Sequence, residues 1–137
     1  MVASDTDRAM TREESMAAER VRATGAEFMT VDQLFYRMQG GSPVIIVDVL
    51  DQGSYRGEHI KGAINIPVSD IRDQAPRVLP DKEAEIVVYC GSFECGASLM
   101  AARTLFELGY LHVYDCKGGL KQWKERGLPL EGAQTRT

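Results

Sequence analysis

Two stretches, VIIVDVL at residues 44–50 and EIVVYC at residues 85–90, constrain the fold more than anything else in the chain. Each is a β-branched run with almost no polar alternation. Such a run makes a strand covered on both faces, which is the condition of a parallel sheet. LHVYDC, residues 111–116, reads as a last strand, and AINIP, residues 63–67, as a short one ended by proline. Helical spacing fills the intervals, with Gly and Pro breaks between. Strands alternating with helices imply an α/β domain with a mainly parallel sheet.

The helices carry their own start signals. Thr11 with Glu14, and Thr30 with Gln33, are capping boxes, in which each side chain satisfies a free amide of the other end. The first box opens a helix ending near Gly25, whose apolar face (Met16, Ala17, Val21) is thin enough to predict an appendage lying on the domain. The second opens a helix stapled by Met29 and Leu34 and stopped at Gly40-Gly41. Ser69 is placed to cap a brief helix through Arg72. Residues 97–108 form a helix apolar almost all round, closed by Gly109, with Arg103 and Glu107 paired on its polar edge. A final helix surrounds Trp123, a core or partly covered side chain. The organisation is a tail and helix over residues 1–27, one domain over 28–132 and a short tail at 133–137, with residues 1–10 polar and mobile.

At 137 residues the chain suits one core. A formal charge of −4 argues against a nucleic-acid partner, which would need phosphate neutralisation by a basic surface. No apolar run is long enough to cross a bilayer, and the first residues lack the apolar stretch of a secretory signal, so no membrane partner and a cytoplasmic home are expected. Three cysteines, an odd number in such a chain, fit reduced thiols with chemical roles. A zinc site would want a second close Cys/His pair, and none is present. No metal is expected.

Cys90 ends a strand, and ligands of parallel sheets bind beyond the carboxyl ends of strands. The loop after it, GSFECG, is bounded by glycines, and the helix starting near Ala97 points its free amides back at the loop. Those donors favour a thiolate and predict a lowered pKa for Cys90, with a nucleophilic or carrier role. The competing reading is a buried, space-filling cysteine. Cys116, with Lys117 and Gly118-Gly119 behind it, reads as packing. Asp48 is expected to accept hydrogen bonds from loop amides near the site, His59 to hold a turn, and His112 to lie on the surface.

Three segments together resemble the rhodanese-like, single-domain sulfurtransferase family. VDVLDQGSYRGEHIKGAINIP is similar to its pattern of an Asp at a strand end, then Tyr, then His-Ile-x-Gly-Ala-x-Asn-x-Pro. VVYCGSFECGASLMAARTLFELGY resembles its strand, cysteine, loop and helix. VYDCKGGLKQWKERGLPL resembles its Gly-Gly, Trp and Gly-Leu-Pro ending. The resemblance covers about residues 28–131. It implies a five-stranded, mainly parallel sheet flanked by helices, here with an extra N-terminal helix. It also implies sulfur transfer through a Cys90 persulfide, with the amides of Gly91, Ser92, Phe93, Glu94, Cys95, Gly96, Ala97 and Ser98 around the sulfur and no metal or organic cofactor. The partners implied are a small sulfur donor or a persulfide-donating protein, and a thiol acceptor.

The loop departs from that family. It is two residues longer than usual, Ala97 stands before Ser98 where an arginine is common, and the loop contains no Lys or Arg. Leu50 likewise replaces an arginine. A Glu94 carboxylate beside the sulfur would disfavour a thiolate and repel an anionic donor such as thiosulfate. Without a loop arginine, the related phosphatase chemistry lacks its charge clamp. Cys95 reads in two ways, as a small loop residue or as a resolving thiol that attacks a persulfide on Cys90. The alternative to an enzyme is a partner-binding or thiol redox-sensing module built on Cys90 and Cys95.

Overall fold

A computed structural model describes residues 10–133. Of the tail expected to be mobile, residues 1–10, all but Met10 lie outside the described residues, as does the end of the C-terminal tail, 134–137. In chain order the elements are α1 (Arg12–Arg22), β1 (Glu27–Phe28), α2 (Val31–Gln39), β2 (Ile45–Asp48), α3 (Gln52–Gly57), β3 (His59–Ile60), β4 (Ile64–Asn65), a 3-10 turn (Val68–Asp70), α4 (Ile71–Val78), β5 (Glu85–Tyr89), α5 (Ala97–Glu107), β6 (His112–Asp115), α6 (Gly119–Glu125) and β7 (Leu130–Glu131).

Five strands form a parallel sheet in the order β1-β6-β5-β2-β4, and β3 pairs antiparallel with β7 beside it. The central strands β2, β5 and β6 are the β-branched runs of the sequence. Their alternate side chains feed two cores. Ile86, Val88 and Cys90 face a layer made by α1, α4 and α5, with Val21, Ile71, Ala101 and Leu105 packed against them. Val87 and Tyr89 face the opposite layer with Leu34 of α2 and Trp123 of α6. Each fully buried aliphatic side chain contributes about 2 kcal/mol to this two-sided packing.

Both capping boxes are formed, Thr11 with Glu14 and Thr30 with Gln33. The thin face of α1 is nevertheless core except at Met16, which is exposed. Val21 has no exposed surface and Ala17 and Ala18 are buried, so the expected appendage is an integral layer of the domain. Small side chains allow this, because alanine lets the helix backbone approach the sheet closely. The helix stops at Arg22, before Gly25. Gly25 has a left-handed φ of 96°, and a Cβ there would collide with the Phe106 ring.

Other boundaries differ too. The helix after Pro67 begins at Ile71 and runs to Val78 behind the 3-10 turn, with no side-chain cap from Ser69. Arg103 does pair with Glu107 at 3.7 Å, but Arg72 reaches the same carboxylate at 2.8 Å. His59 holds its turn as expected: Nδ1 lies 2.7 Å from the Tyr55 carbonyl and its ring stacks on Tyr55. His112 is exposed. Trp123 has no exposed surface and donates to the Pro129 carbonyl at 2.7 Å. Among the described residues no helix is long and apolar enough to cross a membrane.

Candidate active site

Parallel register brings the carboxyl ends of β5 and β6 side by side, with Val88 opposite Asp115. Cys90 therefore sits next to Cys116 and Lys117 without any closeness in sequence. The Gly118-Gly119 pair fixes this junction. Gly119 has a φ of +64°, and a Cβ on it would overlap the Cys90 carbonyl oxygen. With hydrogen alone there, α6 settles onto the strand end. The Leu120 amide donates to the Cys90 carbonyl at 2.9 Å and the Lys121 amide to that of Gly91 at 2.8 Å.

The loop from Gly91 to Gly96 folds back over this floor. The Cys95 amide closes a turn on the Ser92 carbonyl at 3.1 Å. Lys117 is 1% exposed, and its ammonium donates to the Phe93 carbonyl at 2.7 Å and to the Cys95 carbonyl. A buried cation thus grips the loop from below. The sequence reading missed it because it counted charges inside the loop. The signal lay in the register, since with Val88 opposite Asp115 the second residue after β6 must end beside the first residue after β5.

Cys90 is fully buried, and its thiol donates to the Cys95 carbonyl at 3.4 Å. Burial pushes its pKa up to about 11. The Cys95 thiol adds to the rise, while the Ser98 hydroxyl and amide at the start of α5 work against it. The lowered pKa expected from the helix N-terminus is therefore reversed. One helix amide does reach the sulfur, but desolvation outweighs it. A trans peptide points its C=O and the next N–H in opposite directions, so the carbonyl turned to Cys90 aims the Gly96 amide away from it.

The loop's charge-stabilising groups serve Cys95 instead. Against the rise its partial burial alone would give, the Cys90 thiol and the Gly91 and Ala97 amides hold Cys95 below the ordinary thiol value, with Lys117 adding to the effect. Glu94 is exposed and accepts from the Ser92 hydroxyl at 2.9 Å, so solvent screens it from the buried sulfur. Its expected influence on Cys90 is removed by that turn of the loop. Ser98 and Asp115 are fully buried neighbours, yet the Ser98 hydroxyl and both Asp115 oxygens lack a well-directed hydrogen bond. Burial raises Asp115 to a pKa of about 7.

Asp48 lies at the end of β2 and is satisfied within its own neighbourhood. It accepts from the Leu50 amide at 2.8 Å and the Tyr89 hydroxyl at 2.6 Å. It thus takes up one loop amide, that of the turn after its own strand, and braces β2 to β5 on the sheet face opposite Cys90. Cys116 is sealed in the second core beneath Trp123, where burial pushes its thiol far up. Helix α1 lies beside the loop at residues 91–96. Its Arg12, Met16 and Arg20 form one wall of a cleft of about 460 Å³, and Phe93, Glu94 and Lys117 form another. A larger groove of about 1010 Å³ runs along β1 and α2, and none of the thiols lines it.

The sequence model of the rhodanese-like domain family matches residues 31–126. The chain belongs to the rhodanese-like family. It is 39% identical over 75 residues to the thiosulfate sulfurtransferase PspE of Escherichia coli, covering 55% of this chain and 69% of that one. It is 32% identical over 120 residues to the HTH-type transcriptional regulator Rv0324 of Mycobacterium tuberculosis, covering 87% of this chain and 51% of the regulator. The chain thus spans about half the length of that relative. Among solved structures, the rhodanese-like domain of the Alr3790 protein from Anabaena superposes with a TM-score of 0.72 at 36% identity, over 80% of this chain and 82% of that one. The BH2092 protein of Bacillus halodurans gives 0.74 at 28%, over 88% and 87%. The expected fold of this rhodanese-like domain, a five-stranded parallel sheet with an added N-terminal helix, is the one found. Sulfur transfer is supported at the level of the family.

Proposed function

We propose that this rhodanese-like domain is a sulfurtransferase that takes sulfane sulfur onto Cys90 as a persulfide and passes it to a thiol acceptor. The observation that carries the reading is the position of Cys90. It closes the central strand of the sheet, directly under the first turn of α5, with the Ser98 amide and hydroxyl facing its sulfur. In the loading step the Cys90 thiolate attacks the outer sulfur of a donor, a bond forms between the two sulfurs, and the donor's remaining fragment leaves with the bonding pair. In delivery an acceptor thiolate attacks the outer sulfur and Cys90 leaves as thiolate. Electrons and sulfur pass between sulfur atoms throughout, so the cycle needs no metal or organic cofactor.

A pKa of about 11 keeps most of Cys90 protonated near neutrality and makes its thiolate a reluctant leaving group. The first effect slows loading and the second slows delivery, while a loop without Lys or Arg to hold an anion favours a persulfide donor, small or protein-borne, over thiosulfate. The test is intact mass after incubation with thiosulfate, 3-mercaptopyruvate or glutathione persulfide. The expected result is a gain of one sulfur atom in Cys95→Ala, which keeps Cys90 alone in the loop, and none in Cys90→Ser. No gain in Cys95→Ala with any donor, together with a readily reversible disulfide in the parent, would support a thiol-sensing module instead. The contact between the two loop thiols favours that second reading.

A further inference from the structure

The two loop thiols form a unit that plain sulfur transfer does not require. The Cys90 thiol donates to the carbonyl oxygen of Cys95 at 3.4 Å, and the two thiols are close enough for each to shift the other's ionisation. Lys117 grips that same carbonyl and the one of Phe93, so residue 95 is held over residue 90 by a buried cation. Cys95 is partly exposed while Cys90 is sealed. A short loop with glycine at both ends joins them, which leaves the backbone free to adjust as the sulfurs approach. We propose that Cys95 is a resolving thiol, so that the domain discharges a persulfide internally, releasing hydrosulfide and closing a Cys90–Cys95 disulfide. This rests on Cys90 being the sulfur carrier.

The step balances within the molecule. The Cys95 thiolate attacks the inner sulfur of the Cys90 persulfide. A bond forms between the two cysteine sulfurs, the bond to the sulfane sulfur breaks, and hydrosulfide leaves with the electron pair. The sulfane sulfur is reduced by two electrons, and the two cysteines are oxidised to the disulfide. A dithiol reductant then reopens the disulfide by exchange and resets the site.

Leaving-group chemistry selects this outcome over passing the sulfur from Cys90 to Cys95. Attack on the outer sulfur would expel the buried Cys90 thiolate, a strong base. Attack on the inner sulfur expels hydrosulfide, a weaker base, which leaves faster. The attacking group is also the better ionised of the two thiols. Cys116 takes no part, since it lies sealed in the core on the opposite face of the sheet.

The experiment loads the fully reduced protein with glutathione persulfide, without added reductant. Released sulfide, intact mass and a peptide map of the cysteines are then followed in the parent, in Cys95→Ser and Cys95→Ala, and in Cys90→Ser. The parent is expected to release sulfide and end two hydrogens lighter, with Cys90 joined to Cys95 and Cys116 free. Both Cys95 variants are expected to retain one extra sulfur on Cys90 and to lose the protein-dependent sulfide release. If they instead release sulfide as fast as the parent, or the parent keeps its persulfide beside a free Cys95, the resolving role is wrong while the carrier role stands. If neither the parent nor the Cys95 variants gain sulfur or form the disulfide, the carrier reading fails and takes this proposal with it.

Discussion

Asp48 and Asp115 end two strands of the same parallel sheet, and neither has any exposed surface. Around Asp48 burial still raises the pKa, but much of its cost is offset by the Tyr89 hydroxyl and the Leu50 amide, each within 2.8 Å. Asp115 has Ser98 and Lys117 as neighbours, but neither of its oxygens is properly bonded, and Lys117 spends its donors on loop carbonyls. A satisfied buried carboxylate locks strands together; an unsatisfied one stores free energy at the place where it sits. That place is the floor of the thiol loop. The two strands flanking β5 thus end differently, one in a satisfied, braced carboxylate and one in an unsatisfied carboxylate beneath the loop.

The sharpest way to break this contrast is truncation. Asp48→Ala leaves the Tyr89 hydroxyl and the Leu50 amide short of a partner in the core, and is expected to lower unfolding free energy by about 3 kcal/mol in urea melts. Asp115→Ala, which strands no well-made bond, is expected to cost less than about 1 kcal/mol. Equal losses would erase the distinction.

A second test uses pH. Asp115 holds its proton more tightly folded than unfolded. Its contribution to stability is therefore fully present below the ordinary carboxylate value of 3.8 and is lost as pH rises through about 7. Asp115→Asn, which cannot ionise, should gain on the parent across that window by up to about 4 kcal/mol. A difference that stays flat with pH would show that Asp115 is ionised and paired.

The third compares the thiols themselves, by initial alkylation rates mapped to each cysteine in the reduced protein. Cys90 labelling is expected to climb about tenfold per pH unit from neutrality toward its pKa of about 11. Cys95 labelling should level off below the ordinary thiol value of 9.0. A plateau for Cys90 near neutrality would mean that the α5 amides overcome burial after all.

What the sequence disclosed follows from how local each signal is. The capping boxes at Thr11 and Thr30 are closed by residues three apart, so they are readable and correct. The β2, β5 and β6 runs are legible because two-sided burial leaves no polar alternation. Strands β1, β3 and β7 have two residues each, too few for any period, and exist because a partner strand lies alongside. Helix α3 contains two glycines that argue against it. It is held by the Asp51 cap and by Tyr55, whose hydroxyl bonds the Ala63 carbonyl. Pro76 sits within α4, where it would ordinarily mark an end. At the site, Cys90 and its loop were legible from the strand, glycine and helix pattern. The charge state was not, because it turns on burial, and burial is settled by α5, α6 and Lys117 arriving from elsewhere in the chain.

The glycine beneath Cys90 has a mechanical corollary. Because residue 119 carries no side chain, the last helix clamps the backbone at residues 90 and 91 through two amide bonds, leaving that sulfur on an anchored post. Any joining of the two thiols must then be accomplished by the tip of the loop swinging down. Tightening the tip, for instance with a proline between Ser92 and Cys95, would slow the closure without touching either sulfur.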